Sequence, residues 1–490
     1  MQASPKDLEL ANGVFYGFLA LTGQTDLIRC ASQDTQSIGE PMTKTSPAGE
    51  PDQGNWNRRV WRLAGPIILS SMSTPLLGAV DTAVVGRLGD ASYIGGVSVG
   101  AMIFSFLLWG FGFLRMATTG FTAQAFGAGD EAEIHASFYR PLGLALALGF
   151  LLVVLQAPIA FVAFGAVGAG PEVELQARLY FGARIWSSPA ALVNYAILGW
   201  LLGTQQAKAA LFFQILLNGL NILLDFWFVV GLGWGVQGVA FATVIAEITA
   251  AGLGLLYVWR YLSGRAVPIR WRQLWTGPET LALFRVNFDI FIRTLCVIFA
   301  FSYFTILSAR LGDDILAANA ILMHFLSVTS YALDGFANAA EILAGNAVGA
   351  RSLTTFRHAV KVSSLWALAT AVLLVALFWL LGSWLITLFT DLPTVISLAE
   401  HYLPWLIALP IFAIWGFQLD GIFIGATRAA ALRNAMVLSA LVFFVATWIL
   451  LPLWGNNGLW LAITIFLVAR ALTLGFCYPA LERAIARTGQ

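Results

Sequence analysis

One sequence pattern occurs twice in this chain, and the two copies are 220 to 223 residues apart. Five groups of residues match in the same order along both copies. The matches are Arg87-Leu88-Gly89-Asp90 with Arg310-Leu311-Gly312-Asp313, Gly112-Phe113 with Gly335-Phe336, Gly127-Ala128 with Gly349-Ala350, Gly199 and Gly203 with Gly421 and Gly425, and Trp234-Gly235 and Gly238 with Trp454-Gly455 and Gly458. Ordered matches with so little drift in spacing predict two homologous halves. Paired repeats are a recurring way to build a secondary transporter.

The composition is typical of a protein that lies within a membrane. The mean hydropathy is +0.79, and 11% of the 490 residues are charged, against about 25% in an ordinary soluble domain. The net charge of +1 gives no field that would attract nucleic acid. The three cysteines, Cys30, Cys296 and Cys477, form no metal-binding spacing. No metal site is therefore predicted.

Two common catalytic motifs are missing. The chain contains no H-E-x-x-H and no P-loop. We therefore predict a protein that is not an enzyme, needs no cofactor and takes its energy from an ion gradient or a partner.

Twelve apolar stretches are long enough to cross about 30 Å of hydrocarbon. We place them at residues 60–86, 93–116, 138–164, 174–202, 208–231, 236–260, 280–309, 315–345, 358–389, 396–425, 431–452 and 458–481. Six spans in each half is an even number, so both halves insert in the same orientation. The predicted fold is an all-α membrane protein with two six-helix lobes, related by a pseudo-two-fold axis along the membrane normal.

The charges of the connecting segments predict the orientation. With a cytoplasmic N-terminus, sixteen Lys and Arg residues lie inside, and only Arg87, Arg178 and Arg310 lie outside. We expect a multi-pass protein of the inner (plasma) membrane with both termini in the cytoplasm. The predicted divisions are a disordered tail at 1–55 (alternatively an amphipathic anchor), an N-lobe at 56–260, a linker at 261–279, a C-lobe at 280–482 and a short tail at 483–490.

Asp81 is an acidic residue inside the first predicted span. Ionisable groups in hydrocarbon are costly and are functional candidates by default. Pro66 and Pro75 lie in the same span, and each removes a backbone hydrogen bond and favours a bend. A carboxyl in an apolar cavity holds a proton near neutral pH, so Asp81 is a candidate for proton coupling. The alternative is a static packing or capping role.

Span 5 contains a polar stripe. Asn218, Asn221 and Asp225 lie at i, i+3 and i+7 on one face of an otherwise apolar helix. Asp225 and Asp81 belong to the same half, and if they share a cavity they titrate as a coupled pair. The alternative is that the asparagines join helices by hydrogen bonds.

Span 8 contains a comparable stripe, formed by Asp334, Asn338 and Glu341. In span 7, Asp289 and Arg293 lie at i, i+4, a spacing that predicts an internal ion pair. Four isolated polar residues are predicted to make ordinary contacts within the bundle, namely Glu247, His324, Asp420 and Arg470.

Several of these segments resemble a known family. The runs LGAVDTAVVGRLG at 77–89, NYAILGWLLG at 194–203, LDGFA at 333–337 and LDGIFIGATR at 419–428 are similar to helices of the DinF branch of MATE (multidrug and toxic compound extrusion) transporters. The similarity runs from about residue 56 to residue 481.

The resemblance implies twelve helices in two lobes. It also implies export of organic, often cationic or amphiphilic compounds in exchange for H⁺ or Na⁺. It places the family's proton site at Asp81, its N-lobe network at Asn221, Asp225 and Thr243, and its bending proline at Pro66. Asn194, in the second run, is a further candidate for the substrate and polar network. This chain has Leu77 where some members have a tyrosine.

H⁺ is the favoured coupling ion, because the acidic Na⁺ site of the NorM branch has no clean match in spans 7 and 10. Na⁺ coupling stays an alternative. A flippase for lipid-linked precursors is another, although its arginine candidates Arg115, Arg184 and Arg293 are scattered in sequence. A non-transporting membrane receptor is the third. The expected partners are a small organic molecule and the bilayer, with no nucleic acid, and the protein is expected to be a monomer.

Overall fold

The structure is a computed structural model, and it describes residues 55–86, 91–265, 274–275 and 277–488. Within these ranges it does not describe the side chains at 74–77, 79, 81, 82 and 91. Within these ranges the chain forms helices joined by short turns, with no strand. Residues 1–54 of the predicted tail, the repeat motif at 87–90 and linker residues 266–273 and 276 lie outside them.

The described part of the N-terminal lobe contains nine helices, numbered in chain order. They are α1 (Trp56–Val85), α2 (Ala91–Gly110), α3 (Phe113–Ala128), α4 (Glu131–Val154), α5 (Gln156–Val167), α6 (Pro171–Arg184), α7 (Ser188–Gly203), α8 (Ala207–Asp225) and α9 (Gly235–Ser263). A 3₁₀ turn at Ile185–Ser187 joins α6 to α7, and a π-helical turn at Phe226–Gly231 extends α8.

The C-terminal lobe consists of five longer helices. They are α10 (Pro278–Arg310), α11 (Asp313–Gly349), α12 (Leu353–Thr387), α13 (Pro393–Gly425) and α14 (Ala429–Thr488). α14 is two arms joined at Gly455, whose backbone is not helical (φ 55°, ψ −132°).

Each predicted span coincides with one helix, with consecutive helices or with one arm of α14. Ten helical segments of the described chain are long and apolar enough to cross a membrane, and α14, with 60 residues, is the last of these. Counting the two arms of α14 separately gives eleven passes, and α1, with 30 residues, is the twelfth. The prediction of an all-α membrane protein with twelve passes in two six-pass lobes is confirmed.

The repeated glycines are positions where helices of one lobe approach each other closely. A Cβ at Gly199 in α7 would lie 2.6 Å from the carbonyl oxygen of Arg115 in α3. A Cβ at Gly421 in α13 would lie 2.1 Å from the carbonyl oxygen of Ala337 in α11. The second glycine of each pair makes the same approach one turn further on. The pair α3–α7 in the first lobe is thus equivalent to α11–α13 in the second.

The turns between helices are repeated as well. Asp130, before α4, accepts a hydrogen bond from a backbone N–H three residues on (3.0 Å). Ser352, 222 residues later and before α12, does the same (3.3 Å). Such side chains satisfy N–H groups that the first helical turn leaves unpaired. Gly235 and Gly455 both have positive φ (58° and 55°), a conformation that glycine adopts without steric cost.

The equivalent helices α3 and α11 contact each other between the lobes. A Cβ at Gly127 would lie 2.0 Å from the carbonyl oxygen of Asn346, and a Cβ at Gly349 would lie 1.9 Å from that of Gln124. These two contacts are related by the 222-residue repeat, so α3 and α11 cross on the pseudo-two-fold axis. Gly127 and Gly349 lie near the C-terminal ends of α3 and α11. We call the end of the bundle that contains these glycines and the α9–α10 connection the linker end.

Hydrogen bonds also join the lobes at the linker end. The Gln124 Nε2 atom donates to the carbonyl oxygen of Gly425 (2.9 Å) and to Oγ1 of Thr427 (3.1 Å). The Gln205 Nε2 atom donates to Oδ1 of Asn346 (2.9 Å). The lobes are therefore closed against each other at this end.

Candidate functional site

A buried polar group connects three helices of the N-terminal lobe. The Asn218 amide in α8 donates to Oγ of Ser73 in α1 (2.7 Å). One turn further along α8, Asn221 faces α9, and Asp225 is fully buried one turn beyond it. The stripe predicted on span 5 therefore lies inside the lobe, not against lipid.

Asn221 links Asp225 to Thr243 of α9. With its amide oriented to satisfy both neighbours, the Asn221 nitrogen donates to Oδ2 of Asp225 (2.9 Å). Its oxygen accepts from the backbone N of Thr243 (3.0 Å). The structure thus brings together the three residues that the family resemblance grouped, although their role in transport stays a prediction.

Asp81 lies on the helical backbone of α1, and its side chain is outside the described residues. Asn194 is placed beside the Asn221 group and not within it. Its Nδ2 atom donates to the backbone oxygen of Glu247 (3.0 Å), and the Glu247 carboxylate lies 3.9 Å from the Arg184 guanidinium. Asn194 therefore joins α7 to α9 next to a buried ion pair.

The stripe on α11 lies at the lobe interface. The Nη1 atom of Arg115, in α3, donates to Oδ1 of Asn338 (3.0 Å). Asp334 and Glu341 lie one turn to either side of Asn338 on the same face of α11. The polar stripe predicted on span 8 thus faces Arg115, which the opposite lobe supplies.

A cavity of about 210 Å³ lies between the two lobes, beside this group. Its lining includes Pro66 and two serines of α1, Leu202 of α7, and Arg115, and on the opposite side Asp334 and Asn338 of α11. Pro66 therefore lies at the interlobe cavity, within a helix that continues through both of its prolines from Trp56 to Val85.

The ion pair predicted between Asp289 and Arg293 is not formed. Asp289 pairs with Arg433 of α14, and Arg293 pairs with Asp420 of α13, which also accepts hydrogen bonds from Arg470. The prediction was wrong because a spacing of four residues does not show which side chains face other helices. Asp420 and Arg470 make bundle contacts as predicted, and His324 stacks on Phe389.

Arg115 is the functional candidate that sequence reasoning missed. It entered the sequence analysis only among scattered arginines. One signal was available, because Arg115 and Asn338 are equivalent positions 223 residues apart, and residues on a symmetry axis meet their own equivalents.

Two six-pass lobes with buried polar groups and a cavity between them define a membrane transporter, not an enzyme. The MatE family model matches residues 66–227 and 290–449. DNA damage-inducible protein F of Escherichia coli K12 is 44% identical over 423 residues, covering 85% of this chain and 91% of the relative. The chain belongs to the MatE family and is an efflux transporter of the multidrug and toxic compound type.

More distant relatives also match most of the chain. A probable multidrug resistance protein NorM of Xanthomonas axonopodis pv. citri is 24% identical over 473 residues, covering 91% of this chain and 99% of the relative. A solved structure of MATE in the bent conformation has a TM-score of 0.80 at 21% identity, covering 89% of this chain and 97% of that one. The fold is therefore shared along almost the whole chain.

Proposed function

We propose that this transporter exports organic compounds, cationic or amphiphilic, in exchange for H⁺ by alternating access of its two lobes. The observation that supports this most strongly is the buried group of Asn221, Asp225 and Thr243 beside α1. A buried carboxyl that accepts a hydrogen bond from a neutral amide, as Asp225 does from Asn221, is suited to gaining and losing a proton.

Helix register supports a role for Asp81 in the same proton site. α1 and α8 both begin at the linker end, and Ser73 meets Asn218 between them (2.7 Å). Asp81 is eight residues beyond Ser73, and Asp225 is seven beyond Asn218. At 1.5 Å per residue these offsets are about 12 and about 10 Å. Backbone position 81 therefore lies at nearly the depth of Asp225.

The C-terminal lobe favours H⁺ over Na⁺. A Na⁺ site needs oxygen ligands that no cation of the protein already engages. Asp289 of span 7 and Asp420 of span 10 both pair with arginines. The same pairing engages Arg293, one of the three arginines that a flippase would offer to a pyrophosphate.

The closed linker end corresponds to the outward-facing stage of this cycle. The sixteen-to-three distribution of basic residues places that end, and both termini, at the cytoplasmic face of the plasma membrane. A proton taken up at Asp81 and shared with Asp225 lets α1 repack and expels the compound outward. The lobes then rock and release the proton inside. One chain contains both lobes and the cavity, so we expect a monomer.

The available energy is sufficient for efflux. A gradient of one pH unit is worth about 1.4 kcal/mol, and 100 mV adds about 2.3 kcal/mol per charge. For an uncharged compound, one proton therefore sustains a concentration ratio of roughly a few hundredfold.

The test is proton flux in proteoliposomes with an imposed pH gradient and a panel of lipophilic cations. We expect cations to collapse the gradient through the native protein and through Asp391→Asn, which changes an exposed carboxylate in a turn. Asp81→Asn should not respond. Normal H⁺-coupled transport by Asp81→Asn would refute the assigned coupling site. Efflux driven by Na⁺ alone would refute the assigned ion, and no coupling to either ion would favour the flippase.

A further inference from the structure

We propose that Glu341 and Asp334 of α11 form a second proton-accepting site, at the lobe interface, whose charge determines how firmly Arg115 of α3 holds the linker end closed. The proposal rests on the proposed H⁺ coupling and adds a site that is separate from the N-lobe group.

The geometry places this site on the helix pair that joins the lobes. Arg115 and Asn338 occupy equivalent positions on the two helices and are hydrogen-bonded across the axis (3.0 Å). One turn towards the linker end, the Thr119 hydroxyl of α3 lies at the Glu341 carboxyl. Two turns further on, Gly127 lies directly against the backbone of α11. Any movement of Arg115 relative to α11 is therefore transmitted along a rigid pair of helices to the closed end.

The surroundings of Glu341 suit a carboxyl that gains and loses a proton. Its side chain is 2% exposed, and within the described chain no group hydrogen-bonds its Oε1 atom. The Thr119 hydroxyl donates to the backbone oxygen of Arg115 (2.9 Å), which leaves its own oxygen as an acceptor. The Thr119 hydroxyl can accept from a protonated Glu341, or rotate and donate to an ionised one.

The charges that face this site come from five helices. α11 contributes the two carboxyls, α3 contributes Arg115, α10 contributes Arg293, α13 contributes Asp420 and α14 contributes Arg470. Arg293 and Arg470 are both bound to Asp420.

Arg115 is therefore the cation that Asp334 and Glu341 share, and it also donates to Asn338. Two carboxylates beside one guanidinium repel each other, so one of them, the buried Glu341, is the natural place for a proton.

Proton uptake then has a mechanical consequence. With both carboxyls ionised, their attraction for Arg115 adds to its hydrogen bond with Asn338 and draws α3 and α11 together. With a proton bound, that attraction weakens and the linker end can separate. The cavity beside Asp334 and Pro66 reaches this site from between the lobes. Proton uptake thus favours opening towards the cytoplasm, the direction that antiport requires.

The test measures the separation of the lobes as a function of pH. Spin labels are placed at Ala132→Cys and Thr354→Cys, two exposed linker-end positions in different lobes. The full chain lacks its three native cysteines and is held in nanodiscs, and double electron–electron resonance is recorded from pH 5 to 8.5. In the native background, we expect the short-distance population to fall as the pH is lowered.

Three variants identify the group responsible. Glu341→Gln should show the long distance at every pH, Glu341→Asp should restore a pH-dependent profile, and Asn338→Leu should lengthen the distance at pH 8.5. Asp391→Asn should keep the native profile, because that carboxylate is exposed in a turn. A native profile in Glu341→Gln, or its loss in Asp391→Asn, would overturn the proposal. If Glu341→Gln does not fold, two other results together overturn the proposal. Glu341→Asp would change its lobe distance at the native midpoint pH, and Asn338→Leu would keep the native distance at pH 8.5.

The liposome assay on the same preparation distinguishes failure of the proposed interface site from failure of the proposed transport function. If the native protein moves protons with lipophilic cations while the lobe distance ignores pH, only the interface site is refuted. If no compound moves protons through the native protein, the proposed function is refuted first.

Discussion

Replacing Gly127 or Gly349 by alanine should open the linker end. The added Cβ would lie 2.0 Å from the carbonyl oxygen of Asn346 in the first case and 1.9 Å from that of Gln124 in the second. Ordinary van der Waals contact begins at 3.4 Å, so α3 and α11 must separate by about 1.4 Å. Because both partners are backbone atoms, no side-chain rotation relieves the clash.

The size of the effect follows from the cost of overpacking. Forcing one extra carbon into a tight contact costs about 1–3 kcal/mol, and each 1.4 kcal/mol is a factor of ten in an equilibrium. The closed population should therefore fall by roughly 5- to 150-fold relative to the open one. The two contacts are equivalent, so the two variants should have similar effects. The double variant should be less than additive, because one separation relieves both clashes.

The assay is the spin-label distance across the linker end at pH 8.5, combined with the Tm of the purified protein. Gly252→Ala is the matched control, since it lies within α9 and a Cβ there meets nothing within 4 Å. That variant should leave the distance unchanged and stabilise the helix by about 0.5–1 kcal/mol. The reasoning fails if Gly127→Ala and Gly349→Ala behave like this control, because α3 and α11 would then not be in contact at the closed end.

Three further outcomes are expected. Thr243→Val removes a hydroxyl that faces the Asn221 amide and should destabilise the protein by about 1–2 kcal/mol, which urea titration in detergent would reveal; an unchanged midpoint contradicts the arrangement. Asp420→Asn leaves two buried arginines without their carboxylate and should cost about 3–5 kcal/mol, so a native Tm would contradict the pairing. Arg357, hydrogen-bonded to Glu482, lowers the pKa of that carboxyl; this stabilisation is present above the unfolded pKa and is lost as the pH falls through the folded one. Glu482→Gln should therefore lower Tm slightly at pH 7 and not below about pH 3, and a Tm difference that persists in acid would rule this out.

Much of the fold could be predicted from the sequence because the membrane restricts the possible structures. A span must satisfy its own backbone hydrogen bonds, so apolar stretches of this length are helices. The repeat then assigned six passes to each lobe. Even the close contacts were visible as repeated glycines such as Gly199 and Gly421, although the sequence alone did not show that they pack on α3 and α11.

Pairing between helices could not be predicted in the same way. Asp289 and Arg293 are one turn apart on α10, yet each bonds to a different helix. The choice depends on which face of α10 meets α13 and which meets α14, and helical spacing contains no information about that. The Asn221 group was predicted only through resemblance to a family, since the link to Thr243 crosses from α8 to α9.

The lobe interface shows why an internal repeat can be more informative than either half. Residues near a two-fold axis meet their own equivalents, so a position with the same residue in both halves would make a symmetric contact there. Gly127 and Gly349 are such a case, and their contact is purely steric. Arg115 and Asn338 are the opposite case, because the two halves have diverged at a position where they must touch. Divergence on the axis produces a directed hydrogen bond and places a cation of one lobe beside the carboxyls of the other. The glycine contacts therefore explain why the two lobes fit together at the linker end. The divergent pair explains how that fit can respond to a proton.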